Sequence, residues 1–98
     1  MTKALNITLI VNTKASSFSP RRLKVIESAL NNFGNLSIEH TNKRGHAIEI
    51  AKTCADKNED IVFVLAGDGT LNEAAQGLMN TETALAPIPG GSTNEFAS

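Results

Sequence analysis

The sequence has one cysteine, Cys54, and no tryptophan or tyrosine, so aromatic residues make up only 4% of its 98 residues. One cysteine cannot form an intramolecular disulfide or a cysteine-based zinc cluster, which favours a reducing compartment. The longest uninterrupted apolar run, residues 61–66, is far too short to span a bilayer. No secretory signal pattern opens the chain, and we expect a cytoplasmic location. The length fits one small domain.

Charge is distributed unevenly along the chain. Residues 1–44 carry seven basic and two acidic side chains, whereas residues 45–98 carry two basic and eight acidic side chains. Nucleic-acid binding usually requires a dense basic stripe, so we predict no nucleic-acid partner. A few basic residues in the right loops would instead serve a phosphate group.

Four apolar, β-branched segments alternate with three segments of helical spacing. The predicted strands are residues 5–11, 36–38, 61–65 and 84–88. Their alternation with helices predicts βαβ units with right-handed crossovers and a parallel sheet. The third segment is a continuous apolar run, which is typical of a central strand buried on both faces. We therefore predict a three-layer, Rossmann-like α/β domain.

Capping signals place the helix ends. Ser19 followed by Pro20 predicts the start of the first helix, and Gly34 after Phe33 predicts its stop. The third helix is predicted from about residue 70 to residue 79, with the Thr70 hydroxyl available as a cap.

Ligands of open parallel sheets bind outside the carboxyl ends of the strands. The loops expected there are rich in small, hydroxyl or basic residues, and they are residues 12–18, 41–45, 66–70 and 89–93. The convergence of such loops predicts a binding site at this edge of the sheet.

Residues 65–73 carry the strongest chemical signal. A buried strand ends, two glycines bracket Asp68, and a helix begins at once. Glycine permits close approach of the backbone, and free N–H groups at a helix start bind anions. The Rossmann fingerprint fails at Asn72 and the Walker A pattern is absent. The segment thus indicates either a phosphate site of another kind or a plain tight turn. A second glycine pair, followed by hydroxyl residues and a helix start at residues 90–97, would point its donors into the same crevice.

Three segments resemble one family. The A-G-D-G-T-L-N-E of residues 66–73 is similar to the G-G-D-G-T-x-N-E signature of the diacylglycerol kinase catalytic domain, a group that includes bacterial lipid kinases, sphingosine kinases and ceramide kinases. Residues 89–97 resemble its P-x-G-T-x-N-D-F-A segment, and residues 41–47 resemble T-x-x-x-G-[DH]-A. The chain departs from the family at Ala66, where the family has glycine, and in its first loop, residues 12–16, which lacks the family's proline and glycine.

The resemblance implies an ATP-dependent kinase that transfers the γ-phosphoryl group to a lipid hydroxyl, of diacylglycerol or a related lipid, with Mg²⁺. Asp68 would be the acidic contributor that reaches the Mg²⁺–phosphate assembly. Lys14, Lys43 and Arg44 would add positive charge, although solvated loop charges are an equal alternative. Membrane contact would be peripheral. By resemblance, the residues that bind the nucleotide are Asn12, Thr13, Lys14, Ala15, Ser16, Thr41, Ala66, Gly67, Asp68, Gly69, Thr70, Leu71, Asn72 and Ser92.

In this family a second, β-rich domain supplies the general base, the main metal ligands and much of the lipid pocket. We therefore expect the 98 residues to be the N-terminal nucleotide-binding part of a longer kinase, inactive alone. Two alternatives stay open. One is an NAD kinase-like enzyme, since those enzymes also carry G-G-D-G-T, and the other is a non-catalytic α/β module that binds a nucleotide or a partner chain. The oligomeric state is left open by the sequence.

Overall fold

The computed structural model describes residues 4–14 and 18–88. The described part contains four strands and three helices. In chain order they are β1 (Leu5–Val11), α1 (Pro20–Asn31), β2 (Gly34–His40), α2 (His46–Asp56), β3 (Ile61–Leu65), α3 (Asp68–Gly77) and β4 (Ala84–Pro87).

The four strands form one parallel sheet in the order β2-β1-β3-β4. Strand β1 is central and pairs with β2 from Leu5↔Gly34 to Val11↔His40. On its other side it pairs with β3, from Ile7↔Ile61 onward. The predicted α/β architecture with a parallel sheet is confirmed. The loops that lead from β1, β2 and β3 to the next helix all leave the sheet at its carboxyl edge.

Alternate residues of β1 face opposite layers of the domain. Ile7, Leu9 and Val11 are fully buried in a cluster that also contains Leu30 of α1. Ile10 belongs to the second cluster, which is built with α2 and α3. One helix therefore covers one face of the sheet and two helices cover the other, which makes the three layers.

The start of α1 agrees with its sequence signal, but its end does not. Ser19 is the N-cap, and its Oγ accepts a hydrogen bond from the Arg22 amide at 3.3 Å. The prediction that Gly34 stops the helix is wrong, because α1 ends at Asn31 and Gly34 is the first residue of β2. A Cβ atom at Gly34 would lie 2.5 Å from the Leu5 carbonyl oxygen, so this glycine permits close pairing with β1.

Helix α3 begins and ends two residues before the predicted bounds. Its N-cap is Gly67, so Thr70 is the third residue of the helix and not its cap. At the other end, a Cβ atom on Gly77 would lie 2.6 Å from the Ile48 carbonyl oxygen and 2.7 Å from the Ala51 Cβ. The backbone at the end of α3 therefore packs directly on α2, and this contact sets how closely the two helices approach.

Within the described ranges, no helix combines the length and the apolar character that crossing a bilayer requires.

Candidate functional site

The loops after β1 and β2 and the start of α3 surround a cleft of about 330 Å³ at the carboxyl edge of the sheet. Strand β1 lies between β2 and β3, so the chain leaves this edge toward opposite sides at β1 and at β3, and ligands bind at such a switch point. The cleft is lined by Asn12, Lys14, Thr41, Asn42, Lys43, Arg44, Gly69, Thr70 and Glu73.

The loop after β1 is closed by its own first side chain. The Asn12 Oδ1 accepts a hydrogen bond from the Lys14 amide at 2.9 Å, which forms an Asx turn. The Asn12 amide donates to the Leu65 carbonyl at 3.4 Å, so the turn is also joined to β3. This arrangement brings Lys14 to the cleft wall.

The loop after β2 is held at its start by Thr41, which is buried. Its amide and its hydroxyl both donate to the Val11 carbonyl, at 2.9 and 3.4 Å. Further along, the Asn42 amide donates to the Nδ1 atom of His46 at 3.2 Å. That bond assigns the ring proton of a neutral His46 to Nε2. Lys43 and Arg44 lie between these two fixed points.

The turn after β3 offers open backbone donors. Gly67, Asp68 and Gly69 are exposed, and a Cβ atom at either glycine would meet nothing within 4 Å in the described part of the chain. The first hydrogen bond of α3 runs from the Leu71 amide to the Gly67 carbonyl at 3.1 Å. The amides of residues 68–70 precede it, and no described side chain caps them. Such a helix start, with room for a ligand in front of it, suits phosphate oxygens.

Glu73 joins two of these elements. Its Oε2 accepts from the Gly45 amide at 3.0 Å, and its Oε1 accepts from the Ala47 amide at 3.3 Å. The carboxylate of α3 thus caps the start of α2. Glu73 belongs to the signature segment, but no local sequence pattern indicates its role. The signal that could have found it is Gly45, since a helix that starts after a glycine needs its N-terminal amides satisfied from elsewhere.

The sequence-predicted binding residues divide into three groups. Those that line the cleft are Asn12, Lys14, Thr41, Gly69 and Thr70. Those that do not line it are Thr13, Ala66, Gly67, Asp68, Leu71 and Asn72. Ala15, Ser16 and Ser92 lie outside the described residues, as do the second glycine pair and the helix predicted after it.

Two members of the signature serve the core through their side chains. Ala66 and Leu71 pack against the cluster that α2 and α3 build on the sheet. Their backbone atoms are what they can offer a ligand. Asp68 is instead exposed as the first residue of α3.

In residues 4–14 and 18–88, no three or more histidine, cysteine, aspartate or glutamate side chains are grouped so that they could hold a metal ion. Among residues 66–72 at the glycine turn, Asp68 alone has a carboxylate that could bind a cation. Mg²⁺ bound with a nucleotide commonly takes one or two carboxylates and completes its shell with phosphate oxygens and water.

Comparison with known proteins identifies a family of similar chains. The family model described as "Diacylglycerol kinase catalytic domain" matches residues 6–98. A Staphylococcus epidermidis protein named "putative lipid kinase" is 37% identical over 68 residues, which cover 63% of this chain and 22% of that protein. A Staphylococcus aureus protein with the same description is 39% identical over 69 residues, again 63% of this chain and 22% of that protein.

Solved structures agree in fold. The crystal structure of a diacylglycerol kinase from Bacillus anthracis superposes with a TM-score of 0.76 and 35% sequence identity, and it matches 98% of this chain and 34% of that one. The chain thus spans about a fifth to a third of the length of the relatives that it matches. Since the family model covers all but five of the 98 residues, the chain belongs to the diacylglycerol kinase catalytic domain family.

Proposed function

We propose that this chain is the ATP-binding part of a lipid kinase. The observation that supports this most is an open glycine turn at the start of α3, which meets three basic side chains in one cleft. An uncapped helix start and three cations suit a chain of phosphates, and kinase chemistry consists largely of positioning such a chain and neutralising its charge.

Each part of the cleft has its own task in this proposal. The amides of residues 68–70 donate to phosphate oxygens. Lys14, Lys43 and Arg44 balance the negative charge of the triphosphate. Thr41 and Asn12 contact the nucleotide at the ends of β2 and β1. The glycines permit the approach, since a side chain at Gly69 would occupy the space in which a phosphate must lie.

In the full reaction, the oxygen of a lipid hydroxyl, of diacylglycerol or a related lipid, bonds to the γ-phosphorus. The bond from that phosphorus to the bridging oxygen breaks, and ADP leaves. Mg²⁺ would be held beside the phosphates by Asp68, directly or through water, and would supply further charge neutralisation. We propose that the base that accepts the hydroxyl proton belongs to a β-rich domain outside these 98 residues, so that they bind ATP without transferring phosphate.

A calorimetric titration of the purified chain with MgATP tests the proposal. We expect saturable binding, and we expect Gly69→Val to weaken it at least about tenfold because the side chain fills the phosphate space. The matched control is Ala75→Val, an exposed position on the same helix away from the cleft lining. This control should bind like the wild type, and both variants should keep the wild-type melting temperature within a few degrees.

Equal MgATP affinity of Gly69→Val and wild type would refute the phosphate-cradle role. Binding of NAD in place of ATP would favour the NAD kinase-like alternative. Absence of binding to both would favour a non-catalytic module. Incubation of the chain with radiolabelled ATP and diacylglycerol micelles should yield no phosphatidic acid, and formation of that product would refute the proposed division of labour.

A further inference from the structure

We propose that Glu73 is a positioning residue of the nucleotide cleft, because it holds the loop with Lys43 and Arg44 against the glycine turn of α3. This inference rests on the proposed function and specifies how that site is assembled. It follows from two hydrogen bonds, one glycine conformation and the charge at two helix starts.

The start of α2 depends on Glu73. Gly45 is the N-cap, in a left-handed conformation with φ of 85°, and no side chain in the described residues caps the helix from within its own segment. The amides of Gly45 and Ala47 instead donate to the two oxygens of Glu73, at 3.0 and 3.3 Å. A carboxylate that accepts hydrogen bonds from two backbone amides at a helix N-terminus is stabilised by both bonds and by the helix dipole.

The same contact fixes the loop that precedes α2. Thr41 attaches the start of the loop to β1 through the Val11 carbonyl, and Glu73 attaches its end to α3 through Gly45. Lys43 and Arg44 lie between these two attachments. Both are exposed, so the position of their backbone decides where their charges stand relative to the cleft.

Helix periodicity connects this contact to the glycine turn. Glu73 follows Gly69 by four residues and Thr70 by three, so all three lie on one face of α3. That face is the one that lines the cleft. A single side chain therefore links the phosphate turn with the loop that carries two of the three cations.

The contact also makes the two helix starts at this edge unequal in their ability to bind an anion. Two helix starts lie beside the cleft, and each would attract negative charge. The start of α2 already holds the carboxylate of Glu73, whereas the start of α3 has no side-chain cap among the described residues. Phosphates are thereby directed to α3, and the Lys43–Arg44 loop is held where it can reach them.

The experiment compares wild type, Glu73→Ala and Glu73→Gln, with Gln76→Ala as the control on an exposed site of the same helix. Amide hydrogen exchange without ligand reads the contact itself. Calorimetry with MgATP, with inorganic tripolyphosphate and with adenosine reads its effect on binding. Adenosine lacks phosphates, so a loss of fold would weaken all nucleoside binding, whereas a loss of loop position weakens only the phosphate ligands.

We expect Glu73→Ala to speed exchange at Gly45 and Ala47 at least about tenfold and to weaken MgATP and tripolyphosphate about five- to twentyfold, with adenosine changed less than twofold. Glu73→Gln keeps one acceptor oxygen but loses the charge, so it should lie between wild type and Glu73→Ala. Gln76→Ala should match wild type in every measurement.

Unchanged exchange at Gly45 and Ala47 in Glu73→Ala would overturn the inference, whatever the ligands do. Faster exchange with unchanged MgATP and tripolyphosphate affinity would overturn the positioning role, and so would an equal loss of adenosine binding. If wild type binds neither phosphate ligand, the proposed function fails, and the role of Glu73 toward phosphates fails with it. The contact is then judged by the exchange data alone.

Discussion

The two ends of the sheet present cavities of opposite charge, and the larger cavity lies at the end that does not suit a phosphate. The carboxyl-end cleft measures about 330 Å³ and is lined by three basic residues and one acidic residue. The amino-end cavity measures about 540 Å³, and its lining in the described part of the chain contains four acidic residues and no basic one. Those acidic residues are Asp56, Glu59, Asp60 and Glu82.

The two ends also differ in how they use their polar groups. At the amino end, Asp60 accepts from the Asn6 amide at 2.8 Å, and the Thr83 hydroxyl donates to the Glu59 carbonyl at 2.8 Å. These groups satisfy one another within the fold. At the carboxyl end, the amides at the start of α3 face open space in the part of the chain that the structure describes. The end that suits a phosphate is identified by its available backbone donors and by the sign of its charge, and not by the volume of its cavity.

Charge reversal should break this difference most strongly. Replacing Lys43 and Arg44 together by glutamate should weaken MgATP at least about thirtyfold, because two attractions to the triphosphate become repulsions. The matched change at the other end, Glu82→Lys, alters an exposed residue of the amino-end cavity and should change the affinity less than twofold. Calorimetry at low ionic strength measures both. A clear gain of affinity in Glu82→Lys would show that net charge, and not the carboxyl-end loops, governs binding.

The glycines of α3 offer a second test, with an intermediate effect. Gly77→Ala should lower the free energy of unfolding by about 2 kcal/mol, because its Cβ would press on the backbone of α2. Gly69→Ala should change that free energy by less than about 1 kcal/mol, since its Cβ meets open space in the described residues. Urea denaturation measures both. Equal destabilisation by the two changes would contradict the distinction between a glycine that packs on α2 and a glycine that faces the open cleft.

Cys54 should give the smallest effect, on the side of α2 that faces Thr8 and Glu59. Burial raises the pKa of its thiol, and the side chain is only 5% exposed. The unfolded chain therefore releases this proton at lower pH than the folded chain, so the thiol's contribution to stability is complete at neutral pH and is lost as the pH rises above the ordinary thiol pKa.

Cys54→Ala should accordingly lower the free energy of unfolding by about 1 kcal/mol at pH 7, and the difference from wild type should shrink toward pH 10. Urea denaturation at the two pH values measures it. A difference that grows with pH would contradict a raised pKa. Alkylation by iodoacetamide in the folded protein should likewise be much slower than in urea at pH 8, because the thiolate is the reactive form.

Sequence patterns predict strand bounds best where the strand's own residues are buried and therefore apolar. The bounds of β1 and β3 agree with the prediction because both strands are central and, apart from the buried Thr8, apolar throughout their buried length. Strand β2 is an edge strand and is longer than the predicted 36–38. Its polar ends, residues 34–35 and 39–40, carry no apolar signal and are held by backbone pairing with β1.

What the sequence could not predict depends on contacts between distant segments. The pattern at Gly34 is typical of a helix stop, but glycine is needed there because the Leu5 backbone of β1 lies too close for a Cβ atom. Phe33 directly precedes that predicted stop, but it lies beyond α1, with its ring edge-on to Phe63 at a centroid distance of 6.3 Å. In the candidate site, family resemblance located the glycine turn, but the link from Glu73 to Gly45 spans two helices and has no local pattern.

The central place of β1 has a consequence for how fast the chain folds. Strand β1 completes its pairing only when its residues from Ile7 onward meet β3 from Ile61 onward, and β4 can then add to β3. A ribosome must therefore synthesise most of this chain before the first strand acquires both neighbours. Contacts so distant in sequence carry a large loop-closure entropy and slow folding. Until β3 emerges, β1 exposes an apolar edge that invites pairing with other chains, so the synthesis of β3 is the step that protects the nascent sheet.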